Sequence, residues 1–195
     1  MIIKDGAGGG YEAKVDIKNR LSTLSVSEGF NIEAAGNGDS YNINTGVINL
    51  TTANESAVIY FKNNSLETFI IPNVIAILGA STSGSGDTTV ELIKNPTAGT
   101  IVSGATDVST KSNRNFGSSK EIDADAFKGS EGLTITDGEL FATSSRTTPA
   151  VIEFDADVIL LPTGSSLGVN VTPAPGNTSI DVVIAVVGFY SDIVS

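Results

Sequence analysis

Two segments near the end of the chain decide the fold: Leu167-Gly-Val-Asn-Val-Thr172, and Thr178-Ser-Ile-Asp-Val-Val-Ile-Ala-Val-Val-Gly-Phe-Tyr190. In the first segment apolar residues alternate with polar residues or glycine, which is the period of a half-buried strand. The second segment alternates at first and then carries apolar, mostly β-branched residues on both faces over 183–187. Between them, Pro173-Ala-Pro-Gly-Asn177 must turn the chain because its prolines cannot donate to a strand ladder. We therefore expect a hairpin that forms the central antiparallel pair of an all-β domain, with its second strand buried on both faces.

Further strands are predicted upstream of this pair. Pro72 falls inside one of them, and since proline has no amide proton it implies a bulge, a corner or an edge position. About eight strands at short spacing, without βαβ alternation or a long helical pattern, predict antiparallel sheets packed face to face. The expected fold class is an all-β antiparallel β-sandwich, jelly-roll-like, with an extended N-terminal arm. The segments expected to form these strands are rich in Ile, Val, Phe and Thr: residues 41–52, 56–62, 68–78, 88–94, 150–154 and 158–161.

The N-terminal arm is predicted to span residues 1–29. It opens with Met-Ile-Ile-Lys-Asp-Gly-Ala-Gly-Gly-Gly, which is too rich in glycine to hold one backbone conformation unaided. Next, Tyr11-Glu-Ala-Lys-Val-Asp-Ile-Lys18 alternates apolar with charged residues, as in a strand that lies at a sheet edge or adds to another chain. The apolar residues of the arm form the predicted assembly interface: Ile2, Ile3, Tyr11, Ala13, Val15, Ile17 and Leu21.

The sandwich body is predicted to span residues 30–195. Its boundary with the arm lies within a polar, glycine-rich segment over 28–40. Within it, residues 96–149 read as a long loop-rich excursion, because Ser, Thr, Gly, Asn and charged residues dominate there. A connection of this length is more often functional than a simple linker. Residues 120–128 are expected to form a short helix inside the excursion.

Composition excludes several classes of function. The 195-residue chain contains no cysteine and no histidine, so it lacks disulfides, thiolate chemistry, the commonest general base and the commonest metal ligand. A net charge of −11 repels phosphate backbones and anionic membranes, so we expect neither nucleic acid nor a membrane as partner. No apolar run approaches the roughly 20 residues that span a bilayer, and no export signal is recognisable.

The sequence offers no complete catalytic or cofactor pattern. Gly8-Gly-Gly-Tyr-Glu-Ala13 formally matches a dinucleotide fingerprint, but a strand pattern follows it where that motif requires a helix. Serines occur without histidine and in no Ser-Lys arrangement, so no activated nucleophile is expected. Glu153 and Asp155 could serve a glycosidase as paired carboxylates, although the chain has no tryptophan and only 4 tyrosines for stacking on sugars. We expect no enzyme activity, no catalytic residues and no cofactor.

Two Asp-Ala-Asp segments are candidate sites for a hard cation. Asp123 with Asp125, and Asp155 with Asp157, place two carboxylates on the same side of an extended chain. Neither continues into a calcium-loop pattern, and calcium takes 6–8 oxygen ligands. We therefore interpret them as solvated acidic loops and predict no metal site.

A small basic patch lies in the excursion at Lys111, Arg114 and Lys120. It is open to two interpretations. One is a contact with an acidic partner surface. The other is local pairing with nearby acidic residues, which in exposed positions contributes little to stability: Glu121, Asp123 and Asp125.

Residues 5–21, Asp-Gly-Ala-Gly-Gly-Gly-Tyr-Glu-Ala-Lys-Val-Asp-Ile-Lys-Asn-Arg-Leu, resemble the N-terminal signature DGxGxGxxAKVDxxNRL of small virion proteins from tailed bacteriophages. The resemblance implies a non-enzymatic head-decorating, head-fibre or tail-associated protein. It continues through most of the chain in these segments: Tyr41-Asn-Ile-Asn-Thr-Gly46, Leu50-Thr-Thr-Ala-Asn-Glu-Ser56, Asn113-Arg-Asn-Phe-Gly-Ser-Ser119, Lys128-Gly-Ser-Glu-Gly132 and Leu161-Pro-Thr-Gly-Ser-Ser-Leu-Gly168.

The resulting hypothesis is a capsid decoration or cement protein on the outer shell of a virion assembled in a bacterial cytoplasm. We expect it to form a homo-oligomer, with a trimer favoured, and to bind the major capsid protein through its arm. One alternative is a tail or fibre component that contacts the host surface through residues 96–149. Another, of a different class, is a carbohydrate-binding β-sandwich.

Overall fold

The structure is a computed structural model that describes residues 30–83, 85–103, 106–154 and 159–191. The extent of the arm and the boundary at residue 29 therefore stay predictions. Outside the described residues lie Asp155, Asp157, the segment 8–13 and the whole predicted assembly interface: Ile2, Ile3, Tyr11, Ala13, Val15, Ile17 and Leu21.

The described ranges contain one short helix and thirteen strands. In chain order they are α1 (Phe30–Asn37), β1 (Ser40–Asn44), β2 (Ile48–Leu50), β3 (Ser56–Asn63), β4 (Thr68–Leu78), β5 (Thr88–Lys94), β6 (Thr106–Asp107), β7 (Thr110–Asn113), β8 (Ala124–Lys128), β9 (Glu139–Arg146), β10 (Ala150–Phe154), β11 (Ile159–Leu161), β12 (Ser166–Thr172) and β13 (Ile180–Ser191).

The strands form two antiparallel sheets. In the β13 sheet the strand order is β10-β4-β13-β1-β7, with β11 also paired to β4 and β2 to β13. In the β12 sheet the order is β6-β8-β3-β12-β5-β9. Apolar residues from both sheets meet in one central core, which includes Ile184 of β13 and Val169 of β12. The predicted all-β antiparallel sandwich is confirmed, and its jelly-roll character stays a prediction.

The predicted terminal hairpin is wrong, because β12 and β13 are the central strands of different sheets. Between these two strands the chain passes from one sheet to the other, and the connection is hydrogen-bonded to both sheets. The amide of Ala174 donates to Thr88 Oγ1 of β5 at 3.2 Å, and Asn177 Nδ2 donates to the carbonyl of Leu50 in β2 at 3.2 Å. The alternation in the sequence correctly predicted a buried face for each strand, but it does not specify which strand is the hydrogen-bonded neighbour.

The prediction that β13 is buried on both faces is also wrong. Its inward residues, such as Val182 and Ile184, are fully buried. On the opposite face Val183, Ala185 and Val187 are only half-buried.

Pro72 lies at a bulge, as one of the predicted alternatives held. The pairing of β4 with β13 shifts between Val187 and Phe189, so that Ile71 and Pro72 lie opposite the single residue Gly188. On its other side, β4 pairs with β11 up to Ile71 and with β10 from Val74 onward. Pro72 therefore lies at a position where the strand ladder does not require an amide donor.

The prediction of a helix over 120–128 is wrong. That segment contains the strand β8, which pairs with β3, whereas the described helix α1 lies within the polar boundary over 28–40, where no helix was predicted. Ala126 of β8 is fully buried in the central core. Pairing and burial against β3 outweigh the helical preference of this short alanine-containing segment.

The excursion over 96–149 covers part of the outer face of the β12 sheet, over β3 and β12. It supplies β6, β7, β8 and β9, and its loops build a second apolar cluster in which Ile101 packs on Ala57 and Tyr60 of β3. Val102, Phe127, Leu133 and Ile135 are partly buried against this cluster. The segment is thus more ordered than a simple loop, and it closes one side of the sandwich.

The covering loop is joined to β3 at a second bulge. The register of β3 with β12 shifts between Val169 and Asn170. Backbone groups of β3 at this bulge form hydrogen bonds with the excursion. Gly129 donates to the carbonyl of Val58 at 2.9 Å, and Ala57 donates to the carbonyl of Leu133 at 2.8 Å.

Gly129→Ala should destabilise the protein by about 3 kcal/mol or more, at the upper end of the range for overpacking. A Cβ at Gly129 would overlap the carbonyl oxygen of Ala57 and lie 2.6 Å from its carbonyl carbon, and backbone atoms cannot move aside as a side chain can. The matched control is Gly36→Ala in α1, where a Cβ meets nothing within 4 Å. It should be neutral or stabilise by up to about 1 kcal/mol. Urea unfolding checks both, and equal effects would contradict this packing.

An aromatic group fills one end of the central core. The rings of Phe61, Phe69 and Tyr190 follow one another at centroid distances of 4.9 and 5.0 Å, and Tyr41 lies 5.8 Å from Tyr190. The Tyr190 hydroxyl donates to the carbonyl of Asp123 at 2.9 Å. Burial, followed by the charge of Asp123, strongly raises the pKa of Tyr190 above its ordinary value.

Stability should fall as the pH rises above about 10, where tyrosines of the unfolded chain ionise. Because the pKa of Tyr190 is higher in the folded protein, the unfolded state loses this proton at a lower pH. Rising pH therefore stabilises the unfolded state relative to the folded state. Tyr190→Phe should therefore show a free energy of unfolding that declines less steeply, by up to about 1.4 kcal/mol per pH unit. Urea unfolding at several values between about pH 9 and 11 measures the slope. Identical slopes for both proteins would contradict this assignment.

Candidate assembly surface

The outer face of the β13 sheet carries an apolar stripe. The inward residues of β4, β10 and β13 belong to the central core, so the residues between them point outward together. Cross-strand pairs place Ile77 opposite both Val151 and Val183, and Ile75 opposite Ala185. We call this set the outer stripe: Ile75, Ile77, Val151, Val183, Ala185 and Val187.

Several side chains of the outer stripe are open to solvent. Val151 is 60% exposed and Ile77 is 45% exposed, and the other members are half-buried. Burying apolar side chains is favourable. Because the exposed side chains of the outer stripe are adjacent, they form one apolar patch and not a set of isolated surface residues.

The neighbouring half of the same face is polar and includes a charged side chain at Arg114. Asn42 pairs with Val187 and Ser112, and Asn44 pairs with Ala185 and Thr110. A groove of about 540 Å³ runs along this half and reaches Val187. The stripe and this polar half together offer apolar contact and hydrogen-bonding groups to one partner surface.

The two sheets differ in how their outer faces are covered. The excursion covers the β12 sheet over β3 and β12, whereas on the β13 sheet only one end is covered among the described residues, where Ala34 of α1 packs on Ile70 and Phe189. The outer stripe lies beyond that end. The sequence signalled it through the apolar run in β13, but the matching residues of β4 and β10 are brought beside it only by the sheet order.

Two members of the basic patch predicted from the sequence, Lys111 and Lys120, form ion pairs. Their partners are not the carboxylates that were expected. Lys120 Nζ lies 2.8 Å from Asp39 Oδ1, and Lys111 Nζ lies 3.6 Å from Asp107 Oδ2. The pairing predicted with Glu121, Asp123 and Asp125 is therefore wrong. Arg114 makes no side-chain ion pair within the described part of the chain.

The candidate carboxylate sites are not assembled into a cluster by the described residues. Asp123 precedes β8 and Asp125 lies within it, where it is opposite Lys62 of β3. Across the described ranges, no three Asp or Glu side chains come together as metal ligands would. Glu153 lies exposed on β10, and its predicted partner Asp155 is outside those ranges.

None of the described helical residues forms a helix of the length and apolarity needed to span a membrane.

No protein-family model matches the chain, and no curated protein matches it significantly. The resemblance to tailed-phage virion proteins therefore rests on the sequence motifs alone.

Truncating the outer stripe should cost the isolated protein little. Ile77→Ala should lower the free energy of unfolding by about 1 kcal/mol or less, because the side chain is already half in water. The matched change Ile184→Ala, on the buried face of the adjacent strand, should cost about 2–5 kcal/mol. Urea unfolding of the two variants measures both values. If Ile77→Ala proved as costly as Ile184→Ala, the stripe would belong to the core of the fold and not to an assembly surface.

Proposed function

We propose that the protein is a non-enzymatic structural component of a tailed-phage virion, namely a decoration or cement protein on the outer shell of the capsid. The observation that carries the proposal is the outer stripe, an apolar strip on a protein whose net charge is −11. An acidic chain repels its neighbours at long range, so a stable contact needs a surface where charge is scarce. The outer stripe consists of apolar residues, and charged side chains border it at Glu153, opposite Ile75, and at Arg114, in the groove that reaches Val187.

The sequence motifs support the same function. The segment 5–21 and the later segments that resemble those of tailed-phage virion proteins run through most of the chain. Several of them shape the surfaces described above. Tyr41-Asn-Ile-Asn-Thr-Gly46 includes most of β1, which borders the outer stripe, and Lys128-Gly-Ser-Glu-Gly132 joins the excursion to β3.

The acidic character of the chain favours the outside of the shell over the DNA-filled interior, where a net charge of −11 would be repelled by phosphate. The proposed partner is the major capsid protein. Within this proposal, residues 1–29 serve as a tether and the outer stripe as the seat on the shell. The proposed assembly state is a homotrimer.

Lysines on the outer stripe should weaken attachment to shells. We expect the double variant Ile77→Lys, Val183→Lys to bind purified shells at least tenfold more weakly than the wild-type protein, because two ammonium groups must be desolvated on contact. Leu66→Lys is the matched control, since Leu66 is 93% exposed in the loop between β3 and β4. It should bind like the wild type.

Co-sedimentation of each variant with shells that lack the protein measures occupancy, and circular dichroism checks that each variant is folded. Full occupancy by the double variant would contradict the proposed seat. Imaging particles that carry a gold-labelled copy locates the protein as well. Label on the tail would favour the alternative of a tail or fibre component over a capsid protein.

A further inference from the structure

Asn170 of β12 carries a buried oxygen atom without a partner. The residue is only 4% exposed, and its Oδ1 accepts no hydrogen bond from the described residues. A buried carbonyl oxygen that lacks a donor costs free energy, and such groups are rare in folded proteins. This oxygen therefore needs either a donor or a cation.

Glu91 of β5 lies directly opposite Asn170 in the β12 sheet. Side chains of a directly opposed pair leave the same face of a sheet, with their Cβ atoms about 4.5–5.5 Å apart. Glu91 is half-buried, and its carboxylate makes no hydrogen bond or ion pair within the described part of the chain. A carboxylate without a partner thus lies beside the amide oxygen without a partner.

Glu55, which directly precedes β3, approaches the same amide from the other side of β12. Its Oε1 accepts a hydrogen bond from Asn170 Nδ2 at 2.9 Å. This bond identifies the amide nitrogen, because the reverse orientation would place Oδ1 against a carboxylate. β3 and β5 flank β12 on opposite sides. Since Nδ2 is directed towards Glu55, Oδ1 turns towards β5 and Glu91.

The missing partner of these three side chains should be positively charged. None of the ion pairs among the described residues includes Glu55 or Glu91, and neighbouring carboxylates repel each other when no cation lies between them. A water molecule would satisfy Oδ1 but would leave both negative charges in place. Calcium satisfies both needs, because its ligands are carboxylate and amide oxygens at about 2.3–2.6 Å.

We propose that Glu55, Glu91 and Asn170 Oδ1 bind a calcium ion. The side chains supply about three to five of the roughly 6–8 oxygens that calcium takes, and water supplies the rest. With so few protein ligands the site should be weak, with a Kd of about 0.1–1 mM. The three residues are distant in the sequence and are brought together by the order β3-β12-β5. The site lies on the β12 sheet, so it is separate from the outer stripe and from the proposed function.

Isothermal titration calorimetry of the full-length chain with calcium chloride tests the proposal. We expect the wild type to bind one ion per chain. Glu91→Gln should weaken binding by about tenfold or more, because the isosteric amide removes one of the two charged ligands. The matched control is Glu153→Gln, which removes the same charge from an exposed position on β10 in the other sheet. It should bind calcium like the wild type.

Thermal unfolding gives a second readout, because an ion that binds only the folded state raises the Tm. Calcium at about 10 mM, well above the expected Kd, should raise the Tm of the wild type and of Glu153→Gln but not that of Glu91→Gln. If circular dichroism shows that Glu91→Gln is unfolded, Glu55→Gln replaces it.

Two results would overturn the proposal. One is a wild type that binds no calcium at these concentrations. The other is equal affinity of Glu91→Gln and Glu153→Gln for calcium, since binding would then reflect diffuse attraction to a chain with a net charge of −11.

Discussion

The antiparallel pairing of β4 with β13 is the interaction on which the rest of the structure depends. It runs from Val182 opposite Leu78 to Ser191 opposite Thr68, with one bulge at Pro72. Side chains on the inner face of this pair build the core against the β12 sheet, and those on the outer face form most of the outer stripe. Because successive residues of a strand face opposite sides, one register determines both the core and the exposed surface.

The asymmetry between the two sheets follows from where the excursion folds. Residues 96–149 place Ile101 and its neighbours on β3, and the carbonyl of Ala57 comes so close to Gly129 that only glycine fits. This part of the β12 sheet is thereby covered by its own chain. On the β13 sheet, α1 covers Ile70 and Phe189, while Ile77 and Val151 remain exposed. A protein built in this way has one face suited to contact with another molecule.

Much of the fold could be predicted from the sequence. The bounds of β4 and β5 were predicted correctly because each is a long run of Ile, Val, Phe and Thr between polar loops. The placement of β12 and β13 in different sheets could not be predicted, because alternation identifies a buried face and not a pairing partner. β8 was mistaken for a helix because its pairing with β3 is a long-range contact.

We propose that the outer face of the β13 sheet is a contact surface of a virion component. A map of the intact particle at side-chain resolution tests this most directly. The account predicts density for this protein on the outer shell, with Ile77, Val151 and Val183 buried against another protein. It would be contradicted if that face pointed into solvent, or if the protein were absent from the particle.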